Sequence, residues 1–134
     1  MEAEELRIGN LVEYKLMYCD VFEIKTKTIS VTAANYADNF EDKIEEFKPI
    51  LLTEEWLLKF GFIDIVIRSH TKWFRMDVLS TRFYLRPCFS GGFYWGFDMN
   101  EAQKECEFND VREFKYVHEL QNFYYIITGK ELTH

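Results

Sequence analysis

The stretch FIDIVIRSHTKWFRMDVLSTRFYLRPCFSGGFYWGFD, from Phe62 to Asp98, decides the fold. It divides into four segments rich in β-branched and aromatic residues: FIDIVIR (Phe62 to Arg68), KWFRMDV (Lys72 to Val78), TRFYLRPCF (Thr81 to Phe89) and FYWGFD (Phe93 to Asp98). Runs of this kind, bounded by polar turn residues, read as strands, and links this short permit only antiparallel neighbours. A four-strand antiparallel meander is the expectation. Gly91-Gly92 reads as a two-residue hairpin turn, since both positions accept positive φ. In that register Cys88 faces Trp95 and Arg86 faces Phe97, while Phe89 and Tyr94 pair on the other face. Both faces then carry aromatics, so one packs on helices and the other on a second layer, a partner or a ligand.

Immediately upstream, LLTEEWLLKFGF (Leu51 to Phe62) carries the start, body and stop of a short helix. Thr53 is the cap, Glu54 and Glu55 place negative charge where the first-turn N–H groups favour it, and Gly61 ends the helix in the left-handed conformation. Leu52 and Leu57 occupy the positions that staple the entry. Further back, NLVEY (Asn10 to Tyr14), YCDVFEIK (Tyr18 to Lys25) and TISVTA (Thr28 to Ala33) read as a small curved meander of three strands, with Gly9 turning the chain into it. Asn35 to Glu46 is polar and acidic and reads as a loop or frayed strand. Downstream, Glu105 to Phe108 reads as an edge strand. Asp110 followed by Glu113 matches a capping box, and Val111, Phe114, Val117, Leu120, Tyr124 and Ile127 recur at helical spacing up to Gly129. The expected fold class is α+β: an N-terminal three-strand meander, a short central helix, a central four-strand meander and a longer C-terminal covering helix. One domain spans 1–134, with a subdivision at 50/51.

The chain has 134 residues, 48% of them hydrophobic and 18% aromatic, enough for a substantial core. Its net charge of −7 disfavours a nucleic-acid backbone as partner, because phosphate binding needs positive charge. An acidic surface instead suits a basic protein surface. Cys19, Cys88 and Cys106 are odd in number and widely spaced, which indicates neither a disulfide framework nor a zinc site. No apolar run approaches the length of a membrane span, and MEAEELRIGN lacks the apolar core of a signal peptide. A cytosolic protein with no cofactor and no metal is expected.

Three segments resemble, as a set and in order, a group of small uncharacterised proteins encoded in phages, prophages and other mobile elements of gut bacteria. They are LRIGNLVEY (Leu6 to Tyr14), LTEEWLLKFGF (Leu52 to Phe62) and KYVHELQNFYYIITGKEL (Lys115 to Leu132). Ile63 to Asn109 lies outside the resemblance. The group offers no activity to carry over, so the resemblance implies a shared α+β frame and a setting in the cytoplasm of a bacterial host. In that setting, an accessory role such as counter-defence follows by analogy, with small acidic phage proteins of the anti-CRISPR kind blocking a host nuclease.

Two surfaces and one residue pair are candidates for function. Strand alternation places Arg82, Tyr84, Arg86 and Cys88 on one face with Trp95 and Phe97 as cross-strand neighbours, a mixture that serves interface anchors and also stacks on single-stranded bases. The acidic run Asp38, Glu41, Asp42, Glu45 and Glu46 is either a solvated face or a dock for a basic partner. His118 lies beside the apolar stripe of the last helix, where it packs in the core or acts as base to Cys88 or Cys106. The expected function is a non-enzymatic, acidic protein-binding accessory whose partner is a basic host nuclease surface, and a homodimer is among the assemblies considered. The alternatives are a small-molecule or single-stranded nucleic-acid binding module, and an enzyme using His118 with Cys88 or Cys106.

Overall fold

The computed structural model describes residues 1–33, 38–67, 71–88, 90–98 and 109–134. The fold is α+β, with two five-stranded antiparallel sheets and two helices. The chain forms two compact units, 1–51 with 116–131 and 52–115 with 132–134. The C-terminal helix belongs with the N-terminal sheet.

In the first unit, strands β1 (Leu11–Tyr14), β2 (Met17–Ile24), β3 (Thr28–Ala33), β4 (Asn39–Lys43) and β5 (Phe47–Lys48) take the order β4-β3-β2-β1-β5. The acidic segment, expected to be a loop or a frayed strand, therefore supplies β4. Its alternation of half-buried Phe40 and Asp42 with exposed Asn39, Glu41 and Lys43 is a strand pattern hidden by high charge. This sheet is strongly curled. In a flat sheet β1 and β4 would stand three strand spacings apart, about 14 Å; instead the Tyr14 hydroxyl donates to Asp42 Oδ2 at 2.8 Å and the Tyr14 ring lies 5.5 Å from that of Phe40. Curling lets Val12, Tyr14, Cys19, Val21, Ile29, Val31 and Phe47 close one core inside a half-barrel. An irregularity between Val21 and Glu23 in the β2–β3 pairing supplies extra bend.

Helix α2 (Val117–Thr128) lies with this unit. It does not begin at Asp110. Residues Asn109–Phe114 are instead a strand, β10, and Glu119 performs the capping-box reach by accepting the Tyr116 N–H at 2.9 Å. The chain stays extended up to Tyr116 because Leu51 and Tyr116 form a bridge and Val117 N–H donates to the Ile50 carbonyl at 2.8 Å. A capping pattern offers about 1 kcal/mol, so strand pairing easily overrides it. Gly129, at φ 70°, ends the helix as expected.

The segments LRIGNLVEY and KYVHELQNFYYIITGKEL meet in this unit. Gln121, buried on α2, accepts the Leu11 backbone N–H at 2.9 Å, and buried Asn10 donates to Asn122 Oδ1 at 2.8 Å. Arg7 forms a two-pronged pair with Glu131 and lies 4.0 Å over the Tyr125 ring. Gly9, at φ +98°, sits where a Cβ would come within 2.9 Å of the Glu131 carboxylate, so any side chain there disturbs that pair.

In the second unit, helix α1 (Glu54–Lys59) has the expected cap, with Thr53 Oγ1 accepting the Trp56 N–H at 3.4 Å, and Gly61 at φ +96°. Strands β6 (Ile63–Ile67), β7 (Thr71–Val78), β8 (Thr81–Pro87), β9 (Phe93–Phe97) and β10 form a sheet in the order β10-β9-β8-β7-β6. The four-strand meander thus gains a fifth strand after β9. Phe74, Val78, Phe83, Leu85, Phe93 and Phe114 are buried, as are Trp56, Leu57 and Phe60 on and just beyond α1.

The register across the β8–β9 turn differs from the expected one. Pro87 pairs with Phe93, Arg86 with Tyr94, Leu85 with Trp95 and Phe83 with Phe97. Gly91 and Gly92 do take positive φ, but the loop is longer than two residues: Cys88 N–H donates to the Gly92 carbonyl at 3.1 Å and Gly91 N–H to the Cys88 carbonyl at 3.2 Å. The register is displaced by three residues, an odd number, so every side chain of β9 changes face relative to β8. Burying Phe93 beside Leu85 and packing Phe97 on Phe83, with ring centroids 5.1 Å apart, outweighs the preference for the tighter turn. The expected edge strand Glu105 to Phe108, together with Phe89, His70 and Cys106, lies outside the described residues.

Candidate functional site

The new register separates the arginine–aromatic set. Trp95 and Phe97 lie on the face of Phe83 and Leu85, while Arg82, Tyr84 and Arg86 lie on the other with Tyr94. On that second face Tyr84 is 1% exposed and meets Trp73 edge to face at 5.8 Å. It is a core residue. The Arg86 guanidinium lies 5.3 Å over the Tyr94 ring, and Arg82 is exposed, its backbone N–H donating to Asp98 Oδ1 at 3.2 Å. What remains at the surface is a pair of arginines beside one tyrosine, not a row of stacking platforms.

The acidic residues are placed differently from one another. Asp42 points into the half-barrel and takes the Tyr14 hydroxyl. Its carboxyl is held below its ordinary range first by the Lys43 backbone N–H and then by Tyr14, whose own pKa rises mainly through that bond. Glu41 points outward and accepts from Lys25 Nζ at 2.7 Å, which lowers the Glu41 pKa and raises that of Lys25. Asp38, Glu45 and Glu46 are exposed, and their side chains make no ion pair among the described residues. These three form the uncompensated part of the run.

Charge is distributed unevenly between the units. Segments 1–51 and 116–131 hold thirteen Asp and Glu against seven Lys and Arg, a net of −6, whereas 52–115 with 132–134 holds ten against nine, a net of −1. Nearly all of the chain's excess negative charge therefore belongs to the half-barrel unit. The sequence contains this asymmetry, but it becomes visible only once the units are known.

His118 is 1% exposed on α2, with its ring stacked on Tyr116 at 5.8 Å and Nε2 3.7 Å from Glu5 Oε2. Its Nδ1 is buried without a hydrogen-bond partner among the described residues. Cys88 belongs to the other unit. Burial pushes the His118 pKa down against the opposing pull of Glu119 and Glu5. The native state therefore resists its protonation, so the stability linked to this group is complete above the ordinary value of 6.5 and is lost as pH falls below it. Thermal midpoints measured from pH 7.5 to 5.5 should decline, and the decline should shrink in His118→Gln. Asp42 and Glu41, with ordinary values of 3.8 and 4.5 lowered further, titrate in a separate, more acidic window.

Sequence reasoning missed a small polar cluster at the β8–β9 turn. The Cys88 thiol donates to the Gly91 carbonyl at 2.7 Å and lies 3.4 Å from Ser90 Oγ and 3.8 Å from Glu113 Oε2, while Lys115 Nζ is 3.4 Å from Glu113. Glu113 reaches it only because β10 is a strand. The thiol is held by a backbone carbonyl, and no group of three or more His, Cys, Asp or Glu among the described residues is arranged to hold a metal ion. No helix among the described residues is long and apolar enough to cross a membrane.

Fold and surface together define a small two-unit α+β protein with a strongly acidic half-barrel. It matches no protein-family model, no curated protein and no solved structure.

Proposed function

We propose that the protein is a non-enzymatic binding accessory that presents the acidic half-barrel unit to a basic surface of a partner protein. The observation that carries this reading is the concentration of −6 of the −7 net charge in one unit, with Asp38, Glu45 and Glu46 standing exposed and unpaired among its described residues. Carboxylates not neutralised at home raise the encounter rate with a basic surface and select against acidic ones. The interior placement of His118 supports binding over catalysis. In the setting implied by the resemblance, a bacterial cytoplasm occupied by a phage or mobile element, the basic surface belongs to a host defence nuclease, which the protein inhibits. The burial of Tyr84 and the separation of Trp95 from the arginines take support from the single-strand binding alternative.

The test compares wild-type protein with the triple variant Asp38→Lys, Glu45→Lys, Glu46→Lys as bait in lysate of a bacterial host. Wild type should retain a basic partner in a salt-sensitive manner. The variant, whose far-UV circular dichroism should match wild type because the sites are exposed, should bind it at least about tenfold more weakly. Equal retention by both proteins would overturn the assignment of the surface.

A further inference from the structure

The two sheets end in very different edges. On the half-barrel, edge strand β4 is guarded by Glu41, Asp42 and Lys43, the usual protection against unwanted pairing. At the end of the second sheet, β6 reads Ile63-Asp64-Ile65-Val66-Ile67 and has β7 as its one strand neighbour among the described residues. Ile63 is 49% and Val66 66% exposed, and Asp64 is the strand's single charge. An edge with this β propensity and so little protection fits strand addition.

We propose that β6 is a self-association strand, pairing antiparallel with β6 of a second copy about a twofold axis through Ile65 and joining two five-stranded sheets into one of ten strands. The argument for a second copy is charge complementarity. Antiparallel pairing centred on Ile65 sets Ile63 against Ile67 and Asp64 against Val66 in both directions, so no like charges face each other. Lys72 is the β7 partner of Val66, and its Nζ lies 3.5 Å from Asp64 and 3.7 Å from Glu54 of its own chain. Two strand spacings, about 10 Å, separate the Lys72 backbone from Asp64 of the second copy on the same face, within the combined reach of the two side chains over Val66. Each Lys72, shared between Asp64 and Glu54 of its own chain, then also reaches Asp64 of the second copy. The strand is thus complementary to itself in composition, register and charge.

The test uses the full chain in sedimentation equilibrium over a range of concentrations, with the exposed position 66 as the probe. Wild type should associate to a dimer. Val66→Asp places two carboxylates opposite each other twice across the twofold and should weaken the dimer about tenfold. Val66→Thr, which keeps the shape and the β propensity and adds no charge, should keep the dimer. Tryptophan fluorescence checks that both variants stay folded. A wild-type monomer at all soluble concentrations, or a Val66→Asp variant that associates identically to wild type, would overturn the proposal.

Discussion

Replacing Phe74 by alanine should lower the unfolding free energy of the second unit by about 3–5 kcal/mol, the cost of the lost side-chain transfer and of the cavity left behind. Phe74 is fully buried, and its ring meets Phe93 edge to face at 6.1 Å, so the loss extends across the sheet from β7 to β9. A domain of ordinary stability holds only about 5–15 kcal/mol, so much of the margin is removed. The readout is clean, because the chain's three tryptophans, Trp56, Trp73 and Trp95, all lie in this unit. Indole fluorescence in a urea titration therefore follows this unit and is blind to the half-barrel. Leu58→Ala, at an exposed position of α1 away from the β6 edge, is the control and should change stability by less than about 0.5 kcal/mol. A Phe74→Ala midpoint close to that of the control would mean that the core is not where the structure places it.

Gln121→Leu should cost the half-barrel unit about 2–3 kcal/mol, although the substitution adds apolar volume to a buried position. The side chain's Oε1 accepts the Leu11 backbone N–H at 2.9 Å and lies 3.5 Å from Asn10 Nδ2, and both Leu11 and Asn10 are fully buried. Leucine leaves that backbone donor with no partner, and an unsatisfied buried amide is expensive while an exposed one is not. The site-specific check is hydrogen exchange, since the Leu11 amide should lose protection more than the β2 and β3 amides that remain paired within the sheet. Far-UV circular dichroism on heating gives the global effect. Retained protection at Leu11 would show that another acceptor replaces the glutamine.

Both predictions concern residues that the sequence had marked only indirectly. Phe74 sits in a segment recognisable as a strand, but which of its faces lies inside follows from the register of the whole sheet. Gln121 and Asn10 fall within two segments of the resemblance, LRIGNLVEY and KYVHELQNFYYIITGKEL, and nothing in either segment alone says that they bond to each other. The acidic run shows a similar division. Its charges were plain, yet only the tertiary structure separates Asp42, engaged by Tyr14, and Glu41, paired with Lys25, from Glu45 and Glu46, which make no ion pair among the described residues.

What the sequence determined by itself is what short-range chemistry controls. Thr53 as cap, Gly61 and Gly129 as helix stops and the alternation that makes β6 to β9 antiparallel strands depend on neighbours a few residues away, and all stand as expected. Tertiary structure decided everything that rests on a competition between distant partners. Asn109 to Phe114 carries a helical period and a capping pattern, but pairing with β9 stabilises it as a strand. Gly91-Gly92 favours a tight turn, but burial of Phe93 against Phe74 and of Leu85 in the core sets a register three residues away, which takes Trp95 from the arginines and gives it to the aromatic face. A one-residue choice at a turn is worth about 1 kcal/mol, and a buried aromatic side chain about 2–3 kcal/mol, so the distant contact prevails over the local preference.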